Sequence, residues 1–329
     1  MIPLVPNMVP ETWRTWIAEN LARGGEPEHL LSVLVASGFS EKAAAELAEA
    51  VNHPYVAAAA KIHDLLQRRE WLLGKCDSLH ALDSKYTEIE RRPLPDFATF
   101  VEQYYSKNRP VIFTGAVDHW KALQQWTPRH LQEAYGDAVV EIQYGRDTNP
   151  LYEQQSYRHR RKVSLGEYVN MLLDSGSSNN MYMTANNFGV TNKALSGLFD
   201  DVGNIGDGYL DMPRLLDQGY LWFGPKGTVT PLHHDLTNNL FVQIYGRKRF
   251  RFIPALQVPL MYNFHHVFSE VDMLNPDPER FPEFANATVI DFVVEPGETL
   301  FIPIGWWHHV VALDVSISLS FTNFTGLPN

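Results

Sequence analysis

Two short segments hold the residues with the most chemical potential. Thr230-Pro231-Leu232-His233-His234-Asp235 contains a His-x-Asp pair, and Pro303-Ile304-Gly305-Trp306-Trp307-His308-His309 contains two further histidines. Alternate side chains of an extended strand share a face, so His233 and Asp235 project together while His234 points away. A third ligand must then come from a strand adjacent in space, and His308 and His309 are the candidates. Two histidines and one carboxylate on one face of a metal leave coordination positions open, the arrangement of non-haem Fe(II) oxygenases. Another pair, His265-His266, falls in a polar loop without a carboxylate at matching spacing. A lone His-x-Asp arises readily by chance in a chain with 13 histidines, so its surroundings decide its weight.

The elements that must position these residues are short strands. β-type runs occupy Val111 to Gly115, Val139 to Tyr144 and Met181 to Thr184, and then Leu221 to Phe223, Asn239 to Tyr245, Lys248 to Ile253, Thr288 to Val294, Thr299 to Ile302 and Val315 to Phe324. Gly246-Arg247 fits a two-residue hairpin turn, and Pro296-Gly297 a turn before another strand. Many short strands separated by Gly/Pro turns predict an antiparallel jelly-roll barrel. Ser316, Ser318 and Ser320 alternate on the last run, giving one small hydroxylic face that either lines a polar interior or spaces the packing.

The first third is helical in pattern. Apolar residues recur at helical spacing from Glu11 to Leu21 and from His29 to Ala36, then in an Ala-rich stretch from Ser40 to Val51. A longer helix runs from Tyr55 to about Leu82, carrying Leu65, Leu66 and Leu72. Residues 1–90 therefore form a helical N-terminal module whose apolar stripe is its own core. Arg91-Arg92-Pro93-Leu94-Pro95 reads as a junction, because paired prolines break both helix and ladder. Residues 91–329 form the second domain.

Bulk properties exclude several classes. The chain has 329 residues with 45% hydrophobic and 20% charged content, ordinary for a globular protein. A formal net charge of −11 argues against a nucleic-acid binder. The run Arg158-His159-Arg160-Arg161-Lys162 opposes that sign and reads as a solvated loop. Cys76 is the one cysteine, so no internal disulfide is expected and a reducing compartment fits. Met1 to Pro6 shows no leader pattern, and no run of about 18 uncharged apolar residues predicts a membrane span. The expectation is a cytoplasmic protein without nucleic-acid or membrane partners.

Thr228 to Asp235 followed by Asn239 to Lys248, then Pro296-Gly297-Glu298-Thr299-Leu300-Phe301-Ile302-Pro303 with Trp306-Trp307-His308, closely resembles the core of the cupin-like JmjC family. Pro95 to Gly115, with Phe100, Tyr104, Arg109-Pro110 and Thr114-Gly115, is similar to the start of that family's catalytic domain. The resemblance spans roughly residues 92–325. That family includes the asparaginyl hydroxylase that inhibits hypoxia-inducible factor and other protein hydroxylases. The resemblance implies a mainly β fold, a double-stranded β-helix (jelly-roll, cupin) barrel behind the helical module.

It also implies roles. His233, Asp235 and His308, the histidine directly after the tryptophans, would hold Fe(II), with His309 a neighbour. Lys248 would hold the distal carboxylate of the cosubstrate 2-oxoglutarate, assisted by Thr230 and Tyr182, with Asn239 nearby. A buried carboxylate needs a paired cation, and Lys248 is the cation on offer. The implied activity is a 2-oxoglutarate-dependent dioxygenase using Fe(II) and O₂ to hydroxylate an amino-acid side chain in a protein or peptide. The alternatives are an N-methyl-lysine demethylase and a non-catalytic metal-binding cupin module. The Gly- and Asn-rich segment Tyr182 to Pro213 is expected to wall the site. Some relatives dimerise through helices after the barrel; this chain stops at Asn329, so a homodimer would use another surface.

Overall fold

The computed structural model describes residues 9–187, 192–214 and 219–329. The stretch Met1 to Pro6 lies outside them, as do residues 188–191 of the expected wall. The chain forms two compact units, Met1–Ser78 and Leu79–Asn329.

In the first unit α1 (Glu11–Ala22), α2 (Pro27–Ala36) and α3 (Ser40–Asn52) close around Ile17, Leu30, Leu34, Ala43 and Leu47. Pro27 opens α2, where a missing N–H costs nothing. α4 (Pro54–His80) departs from the sequence expectation, because none of its residues is buried. Ile62, Leu65, Leu66 and Leu72 stay about half exposed, and Trp71 is 65% exposed. A helical apolar period establishes an amphipathic helix, and the expected core for this one is absent from the described residues.

Among the described residues, thirteen strands carry the second unit: β1 (Glu90–Pro93), β2 (Val111–Thr114), β3 (Val139–Tyr144), β4 (Arg160–Ser164), β5 (Met181–Tyr182), β6 (Gly219–Gly224), β7 (Val229–His234), β8 (Asn239–Tyr245), β9 (Lys248–Ile253), β10 (Ile290–Val294), β11 (Thr299–Ile302), β12 (Trp307–Ala312) and β13 (Ser316–Phe321). They form a six-stranded sheet β1-β2-β11-β8-β13-β6, a four-stranded sheet β10-β9-β12-β7 and a three-stranded sheet β4-β3-β5. Pairing is antiparallel except between β1 and β2. The six- and four-stranded sheets share a core in which Ile112, Phe241 and Leu300 of one meet Phe250, Phe252 and Phe292 of the other. The Phe241 and Phe250 rings lie 5.2 Å apart. Each such buried side chain contributes roughly 1.5–3 kcal/mol.

Three sequence readings change here. Arg91-Arg92-Pro93 is strand β1, not a linker; Pro93 is tolerated because it ends an edge strand. Most of the basic run is strand β4, paired with β3, its arginines exposed and partnered by Glu141 and Glu167. The expected hairpin at Gly246-Arg247 is instead a crossing between sheets: the two residues do turn the chain from β8 into β9, but β8 pairs with β11 and β13 while β9 pairs with β10 and β12. Gly246 has φ +67, and a Cβ there would meet the Val315 carbonyl at 2.0 Å, so only glycine fits.

Candidate functional site

The site sits where the two larger sheets leave their interior open, in a cavity of about 320 Å³. β7 and β12 are cross-strand neighbours, with His233 opposite His308 and His234 opposite Trp307. That register brings His308 to the pocket wall beside His233, their ring centroids 4.1 Å apart. His309 is buried without lining the cavity, and its Nδ1 has no partner among the described residues. Burial, followed by the nearby Arg251, pushes the His309 imidazole down to about 4.

Asp235 follows β7 directly. The Gly305 amide donates to its backbone carbonyl at 3.2 Å, and the Ile304 amide to Asn238 Oδ1 at 2.9 Å, so the two motif segments are stitched together. The Trp306 indole donates to Asn108 at 2.8 Å and fixes the far side of the same turn. His233, Asp235 and His308 then offer ligand atoms within 4.8 Å of one another. Each histidine Nε2 lies 3.9 Å from an Asp235 carboxylate oxygen.

The tautomers follow from the backbone. His233 Nδ1 lies 2.8 Å from the Pro231 carbonyl and His308 Nδ1 2.9 Å from the Trp306 carbonyl. A carbonyl only accepts, so both Nδ1 atoms donate and both Nε2 atoms are turned toward the carboxylate. Burial, then His233 beside it, pushes His308 down to about 4, which keeps its lone pair free at neutral pH. Asn239 Nδ2 donates to Asp235 Oδ2 at 3.3 Å and orients that carboxylate. Two imidazoles and one carboxylate on one wall suit a divalent first-row metal. Neither His265 nor His266 joins the group; both are exposed in the loop before Phe268, whose ring stacks on His233.

Lys248, Tyr182, Thr230 and Asn239 line the same cavity. Thr230 lies three positions before His233, and strict alternation would put it on the opposite face. Between His308 and Val310 on β12 the facing strand advances from His233 to Thr230, so β7 carries one extra residue around Pro231 and Leu232. This bulge returns Thr230 to the cavity. Proline lacks an N–H and is accommodated here because β7 is the sheet's edge.

Lys248 alternates with Arg249 along β9: the arginine faces out to Asp291, the lysine faces in. Only 3% exposed, Lys248 donates to the Tyr182 hydroxyl at 3.2 Å, and no carboxylate among the described residues pairs with it. Burial therefore pushes its ammonium down to about 7. Tyr182 is driven the opposite way by burial, with Arg146 and a Thr230 hydrogen bond drawing it partly back. Asn239 Oδ1 is buried with no partner among the described residues. An unpaired buried cation that donates to the Tyr182 hydroxyl, with the Thr230 hydroxyl lining the same cavity, fits an incoming small carboxylate.

Several wall residues carried no motif signal. Trp222, Tyr220, Phe241 and Phe250 supply aromatic surface. Ser320 also reaches the cavity and accepts from the Trp222 indole at 2.9 Å, whereas Ser318 bonds Gln243 and Ser316 lies buried without a partner among the described residues. From the expected wall, Tyr182 and Ala185 reach the site, while Leu195 and Leu198 pack into the main core instead.

The chain belongs to the cupin-like domain family, which matches residues 97–324. It is 30% identical over 260 residues to lysine-specific demethylase 8 of Xenopus tropicalis, covering 75% of this chain and 55% of that protein. To lysine-specific demethylase JMJ30 of Arabidopsis thaliana it is 29% identical over 245 residues, covering 71% and 54%. HSPB1-associated protein 1 of Bos taurus is 29% identical over 232 residues, covering 64% and 47%. The chain thus spans about half the length of these curated relatives. Among the described residues no helix is long and apolar enough to cross a membrane.

Proposed function

We propose that this chain is a Fe(II)- and 2-oxoglutarate-dependent oxygenase that oxidises a C–H bond on a side chain of a protein or peptide. The paired sheets are read as a double-stranded β-helix. One observation carries the reading. A two-histidine, one-carboxylate group and an unpaired buried lysine face the same small cavity.

His233, Asp235 and His308 would hold the metal, which supplies activation of O₂. Lys248 and the Tyr182 hydroxyl would take the distal carboxylate of 2-oxoglutarate, and Thr230 would add a third polar contact. Asn239 keeps Asp235 oriented. Phe241, Phe250, Ile302 and Val310 shield the centre from bulk water, which sharpens each charge interaction inside. The balance is one 2-oxoglutarate, one O₂ and one C–H bond giving succinate, CO₂ and one C–OH bond.

The names of two relatives favour an N-methyl-lysine carbon as the oxidised position. Hydroxylation of N–CH₃ gives N–CH₂OH, which releases formaldehyde and leaves N–H. Stable hydroxylation of an ordinary side-chain carbon, the outcome implied by likeness to protein hydroxylases, is the second reading. The same machinery serves either. The deciding experiment incubates the chain, Fe(II) and 2-oxoglutarate with methyl-lysine and unmethylated peptides, and follows succinate, formaldehyde and peptide mass. Formaldehyde with a 14 Da loss per methyl group supports demethylation; a 16 Da gain supports hydroxylation. Binding of metal and 2-oxoglutarate with no peptide-stimulated succinate would leave a binding module and sink both.

A further inference from the structure

We propose that Arg146 is a positioning residue for the carboxylate-binding end of the cavity, holding the Tyr182 ring so that its hydroxyl stays beside Lys248 and Thr230. The inference rests on the 2-oxoglutarate reading above.

Arg146 follows β3 directly, after Gly145, whose φ of +80 lets the chain turn there. The preceding strand is paired to β5, with Gln143 opposite Tyr182. The guanidinium is completely buried, 0% exposed, yet does not line the cavity. Its Cζ lies 4.3 Å from the Tyr152 ring centroid and 5.1 Å from that of Tyr182. Nη2 donates to Glu153 Oε1 at 3.0 Å and to the Val229 carbonyl at 2.6 Å. The Tyr152 hydroxyl donates to that same carbonyl at 3.1 Å.

These contacts join two sheets at one point. Val229 opens β7 and precedes Thr230, while Tyr182 stands on β5, so the cation ties the strand of the phenol to the strand of the threonine. Nε and Nη1 have no hydrogen-bond partner among the described residues. Leaving a buried donor unpaired costs about 1–3 kcal/mol. A side chain used only for its hydrogen bonds would not sit this way; what Arg146 uses is its planar face, packed near two aromatic rings. With Lys248 donating to the Tyr182 oxygen, the phenolic O–H is left to donate to a carboxylate. A ring free to tilt would lose that direction.

The test uses the full chain loaded with Mn(II), titrated with 2-oxoglutarate by calorimetry, with Mn(II) affinity measured separately. Arg146→Met should weaken 2-oxoglutarate binding roughly tenfold or more, and Arg146→Lys, which keeps charge without the plane, by an intermediate factor. Mn(II) affinity should stay within about threefold, because no metal ligand is touched. In a Tyr182→Phe background both Arg146 effects should shrink to about threefold or less, because the hydroxyl they aim is gone. Should Arg146→Met not fold, Arg146→Lys with the same background decides. An Arg146→Lys chain that binds 2-oxoglutarate like wild type, or loses as much affinity in the Tyr182→Phe background as in the native one, overturns the inference alone. A wild-type chain that binds Mn(II) but no 2-oxoglutarate overturns it together with the reading it rests on.

Discussion

Replacing Lys248 by Met should stabilise the ligand-free protein while abolishing its cosubstrate binding. The ammonium is held at about 7 instead of 10.5 because it is buried without a counter-ion. At 1.36 kcal/mol per pK unit this depression corresponds to about 5 kcal/mol, an upper figure because local relaxation and water entry relieve part of it. Between pH 7 and 10.5 the unfolded chain carries this proton and the folded chain does not, so wild-type stability rises with pH across that window. Below pH 7 both states are protonated and the whole penalty is present. Above 10.5 it is gone. Methionine has similar volume and no charge, so Lys248→Met lacks the penalty at every pH.

Urea unfolding of both proteins, without metal or 2-oxoglutarate, reads the difference. At pH 6.5 the variant should be more stable by about 2–5 kcal/mol, and by pH 9.5 the gap should have narrowed to about 1–2 kcal/mol. Other titrating groups are common to both proteins and cancel. With metal saturating both proteins, adding 2-oxoglutarate at about 100 times its Kd should give wild type about 2.7 kcal/mol more and the variant nothing more. A variant that is no more stable than wild type at pH 6.5, or a gap that does not change with pH, would refute the claim that Lys248 is a buried cation awaiting an anion.

Three further outcomes follow from the same geometry. Because Lys248 must be charged to hold a carboxylate, 2-oxoglutarate affinity should weaken up to tenfold per pH unit above pH 7, with proton uptake on binding seen by calorimetry in buffers of different ionisation enthalpy. His308→Ala should cost the site its metal, whereas His309→Ala should retain it within a few-fold while losing about 1–3 kcal/mol of stability; Co(II) absorption titration separates them, and the opposite ranking would reverse the ligand assignment. Gly246→Ala should destabilise the fold by at least about 2 kcal/mol in urea, because a positive φ is combined with a clash against the Val315 carbonyl.

How far the sequence reaches is clear from particular residues. Alternation alone puts His233 and Asp235 on one face, and both line the cavity. It fails at Thr230, where an extra residue in β7 changes the face; the sole local trace is Pro231, and a proline does not announce a bulge. It is silent between His308 and His309, because adjacent residues on a strand are equivalent until its partner's register is known. That register is a tertiary fact, read here from His308 standing opposite His233. Arg146 has no motif at all, since its proposed role is set by two tyrosines that meet it only once β3 and β5 have paired. The apolar stripe of α4 misleads in the other direction, because periodicity reports that a face is apolar and not what covers it.

Several buried polar groups in and around the cavity are hard to justify by stability. Among the described residues, Lys248 is a buried cation without a carboxylate, Asn239 Oδ1 and two Arg146 nitrogens are buried without partners, and His309 Nδ1 lies orphaned behind the ligand strand. Each costs free energy that an apolar side chain of the same size would not, and on β9 the costly lysine is flanked by phenylalanines that show what the fold alone would place there. Local choices that agree with a fold are expected everywhere except where something else is being served. Two of the costly residues, Lys248 and Asn239, line the same cavity as His233, Asp235 and His308. The Lys248→Met experiment therefore bears on more than one side chain, because a stabilised and ligand-blind variant is what a binding site built at the expense of stability requires.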